Sequence, residues 1–342
     1  MFKSIVKKFA GVAAIGLLTA GSTFGQSEMP TLKMALAVAD MGFNLTPNSV
    51  FKLAKDLGIF EQHGVKVEFV TLDGTPQAVA ALNSGAVDIA DITIDSMLRL
   101  RADNGVPVRG FLANGKGGSF LIAGKSEIES VANLAGRSYA IADNGSLDHI
   151  LTVAMLQATN NAAPNFVAIG APDVRAQALA VGRIDATTVS FGTYLSIADT
   201  PGIHIIMNTD ELGTFTPSPT KLISATEETL ETKGDAIQRF TNAVVETARL
   251  MHDNPNQWVE AAAAARDDLP RDRIQAISGF LKAQWCLDGC MDMDNLTYVV
   301  DHIYADRDFE AVTRIPAADI LNLTFAQKAN ETLGAYSPTT TP

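Results

Sequence analysis

The sequence predicts an α/β fold of two lobes, each a doubly wound sheet of parallel or mixed strands with helices, ending in a helical C-terminal part. Three observations carry this prediction. The chain has 342 residues, which is long for one hydrophobic core and suits two. Strand and helix patterns alternate in the order of parallel α/β units. A short phrase also occurs twice, as ALNSGAVDIADIT from Ala81 and ALAVGRIDATTVS from Ala178.

The elements follow in order. TLKMALAVA (31–39) reads as an apolar strand. The polar stretch DMGFNLTPNS leads to the helix SVFKLAKDLG, which Asn48 or Ser49 can cap and Gly58 ends. HGVKVEFVTL alternates as a strand does, with Val65, Val67 and Phe69 on one face. GTPQAVAALNSG is a helix opened by Thr75 and Pro76 and closed by Gly85, and VDIADIT is the next strand. VPVRGFLANGKGGSFLIAGKS then breaks two β-rich runs with glycines and a lysine, the texture of a crossing between lobes. Alternation resumes with strands in GRSYAIADNGS, NFVAIGA, IDATTVSF and HIIMNT and helices in LDHILTVAMLQAT and DVRAQALAVG. Two prolines among Ser and Thr mark GTFTPSPTKLISAT as the crossing back, and Glu227 to Leu333 reads as helical. The expected lobes are therefore 27–115 with 220–342, and 116–219. Residues 334–342, GAYSPTTTP, are expected to be a disordered tail.

The N-terminus stands apart. MFKSIVKKFA carries Lys3, Lys7 and Lys8, GVAAIGLLTA is apolar, and GSTFG is small, which is the layout of a secretory signal peptide over residues 1–25. The apolar run is too short to span a bilayer as a stable helix, which needs about 20 residues. A soluble, exported, monomeric protein is expected, with no stable membrane insertion. The net charge of −12 argues against nucleic acid, whose phosphates need a basic surface. Cys286 and Cys290 form an even pair in an exported chain, which reads first as a disulfide. A reduced pair and two ligands of a metal site are the alternatives. No His lies nearby, and Asp288, Asp292 and Asp294 do not fit a calcium loop. No metal or cofactor is expected. A bridge over so short a loop is expected to matter little, and replacing both cysteines by Ser is expected to leave ligand affinity unchanged.

In each copy of the repeated phrase a Gly ends a helix, an Asp starts a strand, and the strand runs to a polar end: Thr93 and Asp95 in one, Ser190 and Tyr194 in the other. Ligands of open parallel sheets bind beyond such carboxyl ends. The stretch GIFEQHGVKVEFVTLDGTPQAVAALNSGAVDIADIT resembles the signature of periplasmic solute-binding proteins of the nitrate/sulfonate/taurine type, related to thiamine-pyrimidine proteins. IESVANLAGRSYAI and ALAVGRIDATTV are similar to the motifs of that family's second lobe. The resemblance covers about 31–225 well and the helical remainder loosely. It implies a type II periplasmic binding fold, a small-molecule ligand in a cleft between the lobes, and delivery to the permease of an ABC importer.

The ligand-binding residues expected on this basis begin with Phe43 and Asn44 after the first strand and Thr93 and Asp95 after the third. Asn114 lies in the first crossing, and Asn144, Gly145 and Ser146 stand at a helix start. Ser190, Phe191 and Tyr194 follow the second copy of the phrase, with Tyr194 expected to cover one face of the ligand. Capping competes for Asp95 and for Asn144 to Ser146, and core packing for Phe191 and Tyr194. Arg175 and Arg183 read as surface residues, leaving Lys116 and Lys221 to supply positive charge. A weakly charged or neutral solute is then expected, or one held by helix N-termini and backbone N–H groups. Sulfonates, carboxylates, nitrate-like anions and pyrimidine or aromatic compounds all fit. GxSxG, HExxH and P-loop motifs are absent, and Asp148 with His149 lacks a Ser nucleophile pattern, so no enzyme is expected. The alternatives are an exported ligand-sensing domain for a periplasmic signalling partner and a thiamine-pyrimidine-type enzyme, whose Cys-rich segment this chain lacks.

Overall fold

The computed structural model describes residues 29–37 and 42–336. The expected signal peptide, 1–25, and residues 337–342 of the expected tail lie outside the described residues. In chain order the strands are β1 (Thr31–Ala37), β2 (Lys66–Leu72), β3 (Ile89–Thr93), β4 (Val108–Leu112), β5 (Phe120–Lys125), β6 (Ser138–Ile141), β7 (Asn165–Ala168), β8 (Ala186–Ser190), β9 (Ile203–Met207) and β10 (Lys221–Thr226). They form two five-stranded sheets, ordered β2-β1-β3-β10-β4 and β7-β6-β8-β5-β9.

The two sheets repeat one plan. In the first, β1 runs parallel to β2 and β3, and β10 is antiparallel to β3 and β4. In the second, β6 runs parallel to β7 and β8, and β5 is antiparallel to β8 and β9. Each antiparallel insert, β10 or β5, arrives directly from a crossing between the lobes. The Ser, Thr and Pro content of GTFTPSPTKLISAT suggests a crossing throughout, yet its second half is β10. Leu222, Ile223, Ser224 and Ala225 are all buried there, so no alternation betrays the strand.

Helices α1 (Ser49–Asp56), α2 (Ile59–Gln62), α3 (Thr75–Asn83) and α4 (Ile94–Asn104) belong with the first sheet. Helices α5 (Leu147–Ala158), α6 (Pro172–Ala180), α7 (Phe191–Leu195) and α8 (Thr209–Gly213) belong with the second. The chain then returns to the first sheet as α9 (Glu227–Thr232), α10 (Gly234–Asp253), α11 (Pro255–Ala265), α12 (Arg271–Leu281), α13 (Met293–Tyr304), α14 (Ala317–Ile320) and α15 (Thr324–Leu333). Helix α10 supplies Phe240, which stacks on Phe60 at 5.6 Å and on Phe51 at 6.2 Å in the core of this lobe. The expected tail begins as ordered chain: Tyr336 donates its hydroxyl to Asp253 Oδ1 at 2.6 Å. That bond, with the Arg249 guanidinium over the Tyr336 ring, accounts for the departure from disorder at 334–336.

The repeated phrase now has a structural reason. Gly85 and Gly182 take φ of +72° and +75°, the left-handed turn that ends α3 and α6 and turns the chain toward β3 and β8. Each phrase's Asp then ties its strand to the central parallel strand of its sheet. Asp88 Oδ2 accepts the Lys33 N–H at 2.9 Å, and Asp185 Oδ2 accepts the Ser138 N–H at 2.9 Å. The backbone closes each pair, from Asp88 N to Lys33 O and from Asp185 N to Ser138 O. Lys233 and Lys125 neutralise the two carboxylates at 2.7 Å. Burial alone raises the Asp185 carboxyl, but the Lys125 ammonium and the Ser138 N–H and hydroxyl outweigh it and bring the pKa down to about 2.

Candidate functional site

The carboxyl ends of one parallel strand from each sheet, β1 and β8, meet at a cavity of about 90 Å³ between the lobes. Its first-lobe wall holds Ala37 at the end of β1, Asn44, Thr46, Pro47 and Asn48 in the approach to α1, Asn114 after β4, and Lys221 at the start of β10. The second-lobe wall holds Ser119 and Phe120 at β5, Leu147 and Asp148 in α5, Pro172 and Arg175 in α6, and Ser190 at the end of β8. Gly115, Gly117 and Thr220, from the two crossings, complete the lining.

Two buried ion pairs face this space. Lys221 Nζ lies 3.1 Å from Asp91 Oδ2, whose side chain is fully buried, and donates to the Ala37 carbonyl at 3.3 Å. An ammonium has three donors, so one is without a partner among the described residues. Asp91 Oδ2 also accepts from Asn48 Nδ2 at 3.2 Å, and Asn48 Oδ1 accepts from Asn114 Nδ2. Across the cavity, Arg175 donates to Thr187 Oγ1, to the Gly170 carbonyl and to the Thr188 carbonyl. Two of its five N–H groups have no hydrogen-bond partner among the described residues. Asp148 Oδ2 stands 3.6 Å from this guanidinium and accepts the Ala142 N–H at 2.8 Å. Asp148 Oδ1 and the Ser119 hydroxyl are buried and have no hydrogen-bond partner among the described residues. Such groups are costly to bury unpaired.

Arg175 corrects the surface assignment made from sequence: it is 1% exposed. Helix α6 turns Pro172, Arg175, Ala176 and Leu179 inward, and the guanidinium is sheltered because backbone carbonyls accept from it. The signal was present in the spacing, since Arg175 lies three residues after Pro172 and four before Leu179, on one helical face. Arg183 is exposed, as expected. Lys116 lies outside this cavity, beside Leu287, Asp288 and Tyr336. Asp148, Asn48 and Ser119 were not singled out as ligand contacts because their neighbours in sequence do not mark them.

Of the expected ligand residues, Asn44, Asn114 and Ser190 line the cavity. Ser190 is also the cap of α7, accepting the Thr193 N–H at 3.0 Å. Phe43 is core, packed edge-on to Trp258 at 5.6 Å, because its apolar ring gains more from the first-lobe core than from a polar cleft. Thr93 is buried with its hydroxyl given to Ser96. Asn144 is exposed to solvent. Phe191 packs against Phe280 at 5.0 Å, and Tyr194 joins the second-lobe core instead of covering the cavity. Asp95, Gly145 and His149 line a second interlobe space of about 190 Å³ with His302 and Phe309. Burial there pushes the Asp95 carboxyl up and the His149 ring down. Asp148 and His149 thus open on different cavities, as adjacent helical positions do.

The lobes touch on either side of the main cavity. Ser146, the cap of α5, accepts the Thr75 N–H at 3.3 Å, and Gln77 donates to Asp143 at 2.9 Å. Arg273 donates to the Leu195 carbonyl at 2.7 Å and to Asp199 at 2.6 Å. Gly192 lies directly against Leu45. No helix among the described residues is long and apolar enough to cross a membrane.

The fold has many solved counterparts. A protein of Bordetella bronchiseptica RB50 is 19% identical with a TM-score of 0.76, over 90% of this chain and 98% of that one. The alkanesulfonate-binding protein SsuA from Xanthomonas axonopodis pv. citri, bound to MOPS, is 17% identical with a TM-score of 0.68, over 87% and 99%. The periplasmic nitrate-binding protein NrtA from Synechocystis PCC 6803 is 13% identical with a TM-score of 0.67, over 90% of both chains. At these identities the likeness establishes the periplasmic binding protein fold. Comparison with curated proteins finds no sequence relative. The family model described as NMT1/THI5 like, however, matches residues 48–258, a stretch that holds the whole second sheet, four strands of the first and most of the cavity lining. The chain belongs to the NMT1/THI5-like family.

Proposed function

We propose that this protein is an exported, periplasmic solute receptor that closes two lobes on a compact acid-bearing solute and delivers it to the permease of an ABC importer. The observation that carries the reading is the pairing of Lys221 on one lobe with Arg175 on the other, both lining one cavity and both with N–H groups unspent among the described residues. An acid group bridging the two binds the closed arrangement better than the open one, and that differential affinity drives closure. Each cation is already matched by a buried carboxylate, so the site is charge-balanced before the solute arrives. A second group on the solute that donates to Asp148 Oδ1 or bonds the Ser119 hydroxyl completes the wall. The cavity's size favours small sulfonates and carboxylates over extended aromatic compounds. The alkanesulfonate- and nitrate-binding neighbours support the same class. In this reading the lobes are 27–115 with 220–342, and 116–219, supported by the return of β10 to the first sheet.

A thermal-shift panel tests it: methanesulfonate, taurine, acetate, glycine, nitrate and a pyrimidine, each at graded concentration. A solute at a hundredfold excess over its Kd adds about 2.7 kcal/mol to stability. At least one acid-bearing member is expected to raise Tm in the parent and to do so weakly in Lys221→Met. A panel with no response, or one in which only the neutral pyrimidine acts, refutes the reading.

A further inference from the structure

The sequence treats the Cys286–Cys290 bridge as a minor staple. The structure puts the ring it closes in an unexpected position. Cys286 and Cys290 are bonded, and the ring between them lies against the crossing that joins β4 to β5. Ala113 N donates to the Gly289 carbonyl at 2.9 Å, and Lys116 N donates to the Gln284 carbonyl at 2.9 Å. Gly115 pairs with Trp285 in an antiparallel bridge. The segment 113–116 is therefore held as a strand would be, by Gly289 within the ring and by Gln284 and Trp285 in the chain that leads directly into it. From behind, Arg249 of α10 donates to the Leu287 carbonyl and Asn330 of α15 to the Asp288 carbonyl, each at 2.8 Å. A Cβ on Gly289 would stand 3.0 Å from Leu112 and 3.1 Å from Ala326, so the ring sits tight between the end of β4 and α15. Cys290, which closes the ring, has a φ of +49°, a conformation that a residue other than Gly adopts at a cost.

What the ring holds leads into the cavity. Asn114, flanked by the two braced amides, donates to Asn48, which donates to Asp91, the partner of Lys221. We propose that the Cys286–Cys290 ring is a positioning brace for the cleft, fixing the crossing 113–116 and, through Asn114, the polar wall of the first lobe. The site is then assembled in the oxidised protein and loosened in the reduced one. This departs from the expectation that Ser replacements leave ligand affinity unchanged, which weighed only the chain entropy of a short loop. The proposal rests on the main cavity being the solute site, but its test needs no solute, so the two readings fail separately.

The experiment is amide hydrogen exchange on the whole protein, oxidised, reduced in place and reoxidised. A trialkylphosphine supplies the two electrons and leaves as the phosphine oxide with the oxygen of one water, whose two protons finish on the two Sγ atoms. Reduction is expected to speed exchange at Ala113 and Lys116 by about tenfold or more, a local opening, while amides of the remote strands β2 and β7 keep their protection. The side-chain amide resonances of Asn48 and Asn114 are expected to move in the same sample and to return on reoxidation. Cys286→Ser with Cys290→Ser is expected to reproduce the reduced pattern; should that variant not fold, reduction of the folded protein decides alone. Unchanged exchange at Ala113 and Lys116, or a rise shared equally by β2 and β7, overturns the brace, as does an unmoved Asn114 resonance.

Discussion

Substituting Gly192 by Ala isolates lobe closure from lobe stability. Gly192 stands in the first turn of α7, where its backbone is ordinary helix, so Ala is locally tolerated and gains roughly 1 kcal/mol of helix propensity. The obstacle is across the cleft. A Cβ there would lie 2.4 Å from Leu45 Cβ and 2.9 Å from the Leu45 carbonyl oxygen, against the 3.5–4.0 Å or so of a normal carbon contact. Leu45 is 1% exposed and seated in the first-lobe core, so it cannot swing away. The lobes must part by about 1 Å, and overpacking of this kind costs roughly 1–3 kcal/mol. The penalty falls on the closed arrangement alone, so the closed-to-open ratio should drop about 5- to 150-fold. Small-angle scattering should show a larger radius of gyration for Gly192→Ala than for the parent, and urea unfolding of the lobes should be nearly unchanged. Identical scattering with the Gln77–Asp143 contact intact would refute the view that Gly192 against Leu45 is a closure contact.

Two further outcomes follow from the buried charges. Asp185→Asn should lower stability by about 2 kcal/mol near neutral pH, the worth of charged hydrogen bonds lost to Ser138 and Lys125. Because the Asp185 pKa is depressed to about 2 from its ordinary 3.8, its contribution is present above the ordinary value and lost as pH falls through the folded one. The unfolded chain takes up protons first in that window, so the parent's stability should rise with pH there, and urea midpoints of Asp185→Asn should show a flatter slope. Arg175→Met should cost about 3–5 kcal/mol by stranding the Asp148 carboxylate. Adding Asp148→Asn should recover most of that stability but no solute response, as read by urea unfolding alongside the thermal-shift panel.

Much of the fold was legible because local chemistry wrote it. Gly85 and Gly182 end helices, Asp88 and Asp185 open strands, and alternation in HGVKVEFVTL shows one apolar face. These are short-range signals that a strand or helix carries whatever its surroundings. β10 was missed for a long-range reason: a strand buried on both faces, arriving after a crossing, has no alternation and borrows its neighbours from 111 residues or more upstream, as the pairings of Ile223 with Leu112 and Lys221 with Thr93 show.

The cleft divides differently. Asn44, Asn114 and Ser190 could be proposed because strand ends in open α/β sheets are where ligands go. Which side chains at those ends turn inward was set by competition among environments that sequence does not display. Phe43 had an apolar core to enter, Asn144 had solvent, and Arg175 had three acceptors waiting beneath a helix that otherwise looked exposed. By itself the sequence determined the periodicities, the turns, the repeated strand openings and hence two α/β lobes. Only the tertiary structure decided that Lys221 and Arg175 share one cavity and that the cysteine loop backs the crossing at Asn114. Those pairings join residues far apart in the chain, and their free energy depends on burial and on the acceptors that folding brings within reach.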